Sequence, residues 1–290
     1  MSQARPAAES VTEPSPADYL LRLGQAGEGP HDLATAALML AALDHPEKKL
    51  APFRAHLSEL AEAVRAEADF ARDGESAGRA LAAVIAGRYG YEGERGDYDD
   101  PQNADLMSVI ERRRGLPVAL GILYIHAARV SKMQAAGLFA PGHFLLRVTL
   151  KGSEAVLDPF NGGAAVDRER VNTPRFGAGF HFQEPESADQ PDPFTPVNDT
   201  EVLLRLQNNI KNRALRAHET ARAIEILLRM AMFAPRRAAL HLELGRLQES
   251  LGALSAARSA YENCLKFTRA GDDVSSEAAV ALHALKRRLN

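Results

Sequence analysis

The sequence is poor in cysteine: only Cys264 occurs among its 290 residues, and tryptophan is absent. A single cysteine cannot form a disulfide within the chain, so the fold is expected to be stable without cross-links. Nothing in this cysteine usage indicates export to an oxidising compartment. We therefore predict a cytoplasmic protein, and no motif in it predicts a cofactor.

Long apolar runs and a strong net charge are missing as well. No stretch of about 18 uncharged apolar residues is present, so no transmembrane helix is expected. The formal net charge is -3, which gives no electrostatic reason to expect binding to nucleic acid or to an anionic membrane. Hydrophobic residues make up 46% and charged residues 25% of the chain, as is usual for a globular protein. The expected partner is a protein or peptide of unknown identity, because the C-terminal part of the chain has a repeat type that usually binds peptides.

Three regions follow from the changes in pattern along the chain. Residues 1–16 are rich in Ala, Ser, Glu and Pro and lack the apolar segment of a signal peptide, so we predict a disordered leader. Residues 17–198 are predicted to form a helical region followed by a compact core. Residues 199–290 are predicted to be helical repeats. The fold class expected is α+β.

The first part of the core has a helical period between Tyr19 and about Tyr89. Its clearest apolar stripe has spacings of four, three and four residues, which is typical of one buried helix face. The stripe consists of Phe53, Leu57, Leu60 and Val64. We interpret these helices as scaffold.

The centre of the chain changes from helix to strand. Helices are predicted over Leu106–Arg113 and from Pro117 to about Ser131, and the second is apolar on nearly all sides, as a central buried helix should be. His143–Leu150 and Ala155–Leu157 predict two strands joined by a hairpin turn at Lys151–Ser153. Residues 163–198 carry little periodicity and are predicted to be an irregular covering segment and then a linker.

The chain from Glu201 onward is helical and repeats. Four positions are matched by four others 34 residues later, which is the period of a tetratricopeptide repeat. The pairs are Ala223 and Ala257, Leu227 and Tyr261, Met230 and Cys264, and Pro235 and Arg269. About two copies fit, and Arg269 replaces the usual closing proline. Since stable arrays usually need three copies, we expect this unit to pack against the rest of the chain.

Residues with catalytic potential occur in three segments: 111–117, 141–147 and 157–163. Their order is a buried helix, a strand opening with His143 and a strand ending with Asp158, as in papain-type cysteine acyl transferases. Those enzymes place a thiol at the helix N-terminus, where the dipole lowers its pKa. Here Pro117 occupies that place, and the next two residues carry neither thiol nor hydroxyl. Cys264 is most simply a small core residue of the second repeat.

The geometry of the His143–Asp158 pair is left open by the sequence. A turn at Gly152–Ser153 would place Asp158 opposite Arg147, about 13 Å along the strand from His143. A hydrogen bond between His143 and Asp158 would then need a longer loop or a bulge. His143 is either a retained base or a buried histidine holding a strand edge, and Asp158 either orients it or caps the following turn.

Four blocks of the sequence resemble those of a known family. Tyr98–Asn103, Arg112–Val118, Pro141–Arg147 and Asp158–Gly163 are similar to the signature blocks of SirB-type bacterial proteins, which join a transglutaminase-like core to tetratricopeptide repeats. The resemblance covers roughly residues 32–289 and implies an α+β papain-like core. It also implies that His143 and Asp158 match the base and its orienter, with proline where true transglutaminases carry cysteine.

Further site residues are proposed around this pair and in the repeats. The predicted groove-lining residues are Tyr98, Asn103, Arg114, Pro117, Arg147 and Asn161. The residues predicted to face a groove of the repeats, where they could meet a partner's carboxylate, are Asn208, Asn212, Arg216 and Arg246. Arginines 112–114 are either solvated or an anion clamp. No metal site is predicted, because His126, His143, His181 and Asp158 lack ligand spacing.

Two functions are compatible with these residues. The first is a non-catalytic protein-interaction or regulatory module that uses the vestigial groove and the repeats, because the nucleophile is absent. The alternative is a residual cysteine-less amide hydrolase or acyl transferase, in which His143 acts on water and Asp158 orients it. Pro117 argues against this alternative, since it removes both the thiol and an N–H that could hold an oxyanion.

Overall fold

The computed structural model describes residues 14–140, 143–167, 195–269 and 271–289. The helices are α1 (Pro16–Ala26), α2 (Leu33–Ala42), α3 (Ala51–Glu67), α4 (Gly74–Ala82), α5 (Leu106–Arg112), α6 (Pro117–Val130), α7 (Asp199–Arg216), α8 (Thr220–Phe233), α9 (Ala238–Ser250), α10 (Leu254–Lys266) and α11 (Asp273–Leu289). The strands are β1 (Glu92–Gly93), β2 (Arg114–Gly115), β3 (Gln134–Ala140), β4 (His143–Leu150), β5 (Ser153–Asp158), β6 (Ala164–Ala165) and β7 (Pro196–Val197). None of the described helices combines the length and the apolar character needed to cross a membrane.

Helix α6 lies at the centre of the core, as its sequence predicts. It is buried around nearly its whole circumference and packs against α2, α3, α7 and the strands β3 and β4. Gly121 allows the sheet to come close, because a Cβ atom at this position would lie 2.3 Å from the ring of Phe144. The start of α6 is set by Pro117 in its first turn, where a missing N–H costs nothing.

The N-terminal helices cover one side of α6. All four residues of the predicted apolar stripe on α3 are buried, which confirms that prediction. Helix α1 begins at Pro16, with Ser15 capping it by accepting a hydrogen bond from the backbone N–H of Asp18. The predicted leader is therefore too long at its end, and its residues 1–13 lie outside the described part of the chain.

The sheet covers another side of α6 and has the antiparallel order β6-β5-β4-β3-β7. Strand β4 coincides with the predicted strand, and β5 is longer than predicted at both ends. Strand β3 was not predicted, because alanine and glycine have a low strand propensity. Its Gly137 lets the ring of Phe144 approach, since a Cβ atom there would lie 2.7 Å from that ring.

The hairpin turn predicted at residues 151–153 is confirmed, and its register differs from the one considered in the sequence analysis. Lys151 (φ 51°) and Gly152 (φ 81°) both adopt positive φ, as the two central residues of a type I′ hairpin turn must. The central residues are therefore Lys151 and Gly152 in place of Gly152 and Ser153, because Lys151 takes the left-handed conformation although it is not glycine. The corrected register brings Asp158 two residues closer to His143 along the strand.

The predicted irregular segment 163–198 is described only at its two ends. Strand β6 pairs with β5 near the first end, and β7 pairs with β3 near the second. The prediction of irregular structure is therefore wrong at these ends, which are too short to show a strand period in the sequence. Residues 168–194 lie outside the described part of the chain. That this segment covers the groove of the core therefore stays a prediction.

The C-terminal helices are docked on the N-terminal half of the chain. Helix α1 packs along α8, where Gly24 comes so close that a Cβ atom would lie 2.2 Å from the carbonyl oxygen of Met232. Helices α9, α10 and α11 enclose a separate small core around Tyr261 and Cys264. These contacts agree with the expectation that the C-terminal unit packs against the rest of the chain.

Two carboxylates form hydrogen bonds between the N-terminal and the C-terminal half of the chain. Asp199, at the start of α7, accepts two hydrogen bonds from the guanidinium of Arg129 on α6, at 2.7 and 2.8 Å. Asp44, after α2, accepts three hydrogen bonds of 2.7 Å from Arg222 and Arg229 on α8. Burial disfavours the charge of Asp44, but the hydrogen bonds and charges of Arg229 and Arg222 outweigh it and lower its pKa to about 2.

We expect Asp44→Asn to lower the free energy of unfolding by about 2 kcal/mol at pH 7. Because the folded-state pKa of Asp44 is depressed, its contribution is present above the unfolded pKa near 4 and is lost as the pH falls towards about 2. Urea unfolding of both proteins between pH 7 and pH 2 measures this. The difference between them should shrink below about pH 4.

Asp69→Asn provides the matched control, because Asp69 is exposed and makes no ion pair within the described ranges. Its unfolding free energy should stay within about 0.5 kcal/mol of the wild type at each pH. A difference between Asp44→Asn and the wild type that persisted unchanged at the lowest pH would contradict the charge explanation.

Candidate functional site

His143 and Asp158 are in direct contact. The Nε2 atom of His143 lies 2.8 Å from the Oδ2 atom of Asp158, and the two side chains are only 2% and 6% exposed. His143 opens β4 and Asp158 ends β5, so the corrected hairpin register is what brings them together. The pair therefore has the contact that a base and its orienter require.

Asp158 also organises the turn that follows β5. Its Oδ1 atom accepts hydrogen bonds from the backbone N–H groups of Phe160 and Asn161 at 3.0 and 3.2 Å. Its Oδ2 atom accepts one from the Asn161 side chain at 2.6 Å. Burial disfavours the charge, but the hydrogen bond and charge of His143 and the bonds from Asn161 hold the pKa of Asp158 below its usual value. Asp158 is thus both a turn cap and a partner of His143.

Phe160 is the centre of an aromatic cluster around the pair. The rings of Tyr98 and His143 meet it edge-on, with centroids 6.1 and 6.4 Å away. The guanidinium of Arg95 lies over it, 4.9 Å from the ring centroid, and also donates a hydrogen bond to Asn161. Sequence reasoning missed Arg95, because its role depends on the loop after β1 packing against residues 159–161.

A narrow pocket lies at the N-terminus of α6. Its lining consists of Tyr98, Pro117, Val118, His143, Phe144, Arg205 and Asn209. The volume is about 10 Å³, roughly enough for one water molecule and too small for a peptide or an acyl chain. Arg205 and Asn209 come from α7 and were not predicted, because the sequence does not indicate which residues of the C-terminal unit meet the core.

None of the described residues that line the pocket carries a thiol or an aliphatic hydroxyl. Pro117 is the first residue of α6, and Val118 and Ala119 carry no hydroxyl or thiol. Cys264 lies in the separate C-terminal core on α10, and burial raises the pKa of its thiol. This thiol is therefore neither close to His143 nor readily ionised.

The other predicted groove residues lie in different places. Asn103 is buried, and its side chain donates to the carbonyl oxygen of Asp97 at 2.6 Å, which shapes the loop beside Tyr98. Arg114 pairs with Glu92 at the surface, at 2.7 Å. Its assignment to the groove is wrong, because its guanidinium points to this exposed partner.

Arg147 is likewise wrongly assigned to the groove. It lies four residues beyond His143 on β4, which is about 13 Å along a strand. It pairs with Glu154 at 3.4 Å and lines a different, wider cavity. Asn161, by contrast, lies next to the pair through its hydrogen bond to Asp158.

The arginines before α6 have partners inside the chain. Arg112 lies 3.5 Å from Glu94 and 3.4 Å from Asp100, and Arg113 contacts His56 and Tyr91. Both side chains are half-buried and contact partners within the chain, and their role as an anion clamp stays a prediction.

Helix α7 is bonded to the loop that carries Tyr98. Arg213 donates to the carbonyl oxygens of Tyr98 and Asp99 at 2.9 and 3.0 Å, and its guanidinium lies 5.6 Å from the Tyr98 ring centroid. Arg216 pairs with the side chain of Asp99 at 2.9 Å. One predicted repeat residue thus already contacts the core.

The remaining residues predicted in the repeats lie on two helices, α7 and α9. Asn208 is half-buried, Asn212 is exposed, and Arg246 on α9 pairs with Glu277 on α11. His126 lies 3.8 Å from Asp32, far along α6 from the pocket, and His181 lies outside the described residues. Within the described ranges, no three His, Cys, Asp or Glu side chains gather as metal ligands would.

Comparison with known proteins identifies relatives of the whole core. Residues 51–208 match a family model described as the transglutaminase-like superfamily. A UPF0162 protein of Xylella fastidiosa (strain 9a5c) is 31% identical over 176 residues, which are 59% of this chain and 61% of that protein. The chain thus spans about three fifths of that relative. No solved structure gives a significant match.

Two further relatives differ in how much they share. A UPF0162 protein of Pseudomonas aeruginosa is 29% identical over 240 residues, covering 81% of this chain and 84% of that protein. The human F-box only protein 21 is 32% identical over 78 residues, which are 27% of this chain and 12% of that protein. The similarity to the bacterial proteins therefore extends well beyond the central core.

We expect Pro117→Cys to create a thiol whose pKa is below the usual value of about 8.5. The α6 dipole and the neighbouring His143 would both favour the thiolate. The ultraviolet absorbance of the thiolate, followed against pH in the intact protein, measures this. Wild-type protein reports the background from Cys264.

The double variant Pro117→Cys, His143→Gln separates the two causes, since glutamine can still donate a hydrogen bond to Asp158. It should raise the thiol pKa relative to Pro117→Cys alone, by about one unit or more. Identical titration curves for the single and double variants would show that His143 does not face the N-terminus of α6 closely enough to act on a thiol.

Proposed function

The chain belongs to the transglutaminase-like superfamily, and from this premise we propose that it acts by binding a protein partner, without catalysis. The observation that carries the proposal is the His143–Asp158 pair beside a helix N-terminus that begins with Pro117. A base needs a nucleophile or an ordered substrate to act on. The pocket beside the pair offers about 10 Å³, which does not admit an acyl substrate.

The C-terminal helices are the proposed binding surface. Helices α8 and α10 begin at Thr220 and Leu254, 34 residues apart. Gly245 on α9 lies against Tyr261 on α10, where a Cβ atom would be 2.4 Å from the ring. This spacing and close helix contact support tetratricopeptide-like repeats, which commonly bind peptides in other proteins.

An acidic segment of the partner fits this surface best. Arg216 and Arg246 are both exposed, and each meets one carboxylate, of Asp99 and Glu277 respectively. Ion pairs at such exposed positions contribute little stability, so a partner carboxylate can replace Glu277 at small cost. Asn212 is exposed and can add a hydrogen bond. The resemblance to SirB-type proteins favours a regulatory role for such binding.

Affinity capture from a native bacterial lysate with quantitative mass spectrometry tests the proposal. We expect a partner that wild-type protein and His143→Gln capture equally and that Arg246→Ala loses. Glu277→Ala is the matched control, because it breaks the same ion pair but leaves Arg246 free. It should keep or increase the captured amount.

The alternative function is tested on the same proteins. A residual hydrolase would release product from amide or ester substrates, and His143→Gln would abolish that turnover. Such His143-dependent turnover would refute a purely binding role. Loss of the partner in both Arg246→Ala and Glu277→Ala would show that the ion pair matters for structure and that Arg246 does not contact the partner.

A further inference from the structure

A second cavity lies between α1, α7 and α8, and it shares no lining residue with the pocket at His143. Its volume is about 170 Å³, and its surface is mostly apolar. Phe233, Ala234 and Pro235, at the end of α8, provide the apolar part. Gly27 leaves one side open, because a Cβ atom at this position would meet nothing within 4 Å.

The walls of this cavity are held in place by polar contacts. Glu28 accepts hydrogen bonds from Arg237 at 3.3 Å and from the side chain of Asn198 at 3.1 Å. Arg237 also forms an ion pair with Glu201 on α7. The close contact of α1 with α8 at Gly24 fixes the distance between these helices. The cavity is therefore preformed, as small-molecule sites usually are.

One of the two arginines at the rim is already paired. Arg237 forms ion pairs with the carboxylates of Glu28 and Glu201. Arg236 also lines the cavity and is exposed, and it makes no ion pair within the described chain. Thr200 also lines the cavity, in the first turn of α7 between the carboxylates of Asp199 and Glu201.

We propose that this cavity binds a small aromatic carboxylate, with the ring among the apolar residues and the carboxylate at Arg236. The size supports a single ring, because a cavity of roughly 150 Å³ is known to hold benzene. The carboxylate follows from the one guanidinium at the rim that has no ion-pair partner in the described residues. This inference is independent of the protein-binding role proposed above.

Ligand-observed NMR with the full-length protein tests it, with phenylacetate as the probe. We expect a dissociation constant on the order of 1 mM, typical of a ligand with about ten heavy atoms. Phenylacetamide, which has the ring without the charge, should bind at least about fivefold more weakly. Acetate, which has the charge without the ring, should not bind measurably.

Three variants assign the contacts. Arg236→Gln should weaken phenylacetate at least about fivefold and leave phenylacetamide unchanged. Ala234→Leu should fill the cavity and abolish both, provided that its thermal unfolding shows a folded protein. Arg258→Gln is the control, because this exposed arginine on α10 pairs with Glu262 and lies outside the cavity lining.

Several results would overturn the proposal. The first is that wild-type protein shows no binding of phenylacetate at a concentration ten times the expected dissociation constant. The second is that phenylacetate and phenylacetamide bind with equal affinity. The third is that Arg258→Gln weakens phenylacetate binding as much as Arg236→Gln does. If Ala234→Leu does not fold, the proposal is tested by the affinities of Arg236→Gln for phenylacetate and phenylacetamide.

Discussion

The constraint on which the rest of the structure depends is the burial of α6 on nearly every side. A helix with apolar side chains on nearly every face has no side that it can expose to water, so it must be covered by other elements. Each fully buried aliphatic side chain contributes roughly 1.5–3 kcal/mol, so covering this helix adds substantially to the stability of the core. The N-terminal helices, the sheet and α7 are arranged as its cover.

This constraint also gives a physical reason for a His–Asp pair without a nucleophile. The N-terminus of α6 is buried with the rest of the helix, so the polar groups around it must satisfy one another. Asp158 does this by accepting hydrogen bonds from the turn after β5 while contacting His143 on β4. Removing either side chain would leave a buried polar group without its partner, which is strongly destabilising. The pair therefore has a structural role that does not depend on catalysis.

Local patterns in the sequence predicted most of the helices and strands. The features that could not be predicted are those that depend on contacts between elements distant in the sequence. The stripe on α3, the start of α6 at Pro117 and the bounds of β4 follow from residue spacing and turn chemistry alone. Strand β3 is stabilised by its neighbours, and the hairpin register depends on the positive φ of Lys151. Neither strand β3 nor the exact hairpin register is indicated by the residues in its own segment.

The dependence on tertiary contacts also explains which site residues could be predicted from the sequence. His143 and Asp158 were identifiable by type and order, whereas Arg205 and Asn209 reach the pocket only because α7 packs across the core. Arg213 bonds this helix to the loop carrying Tyr98, and Arg129 bonds its first residue, Asp199, to α6. Helix α7 is thus part of the core and also the first helix of the C-terminal unit, where it packs on α8. A shift of α7 would break these hydrogen bonds, so this helix connects the pocket to the C-terminal helices.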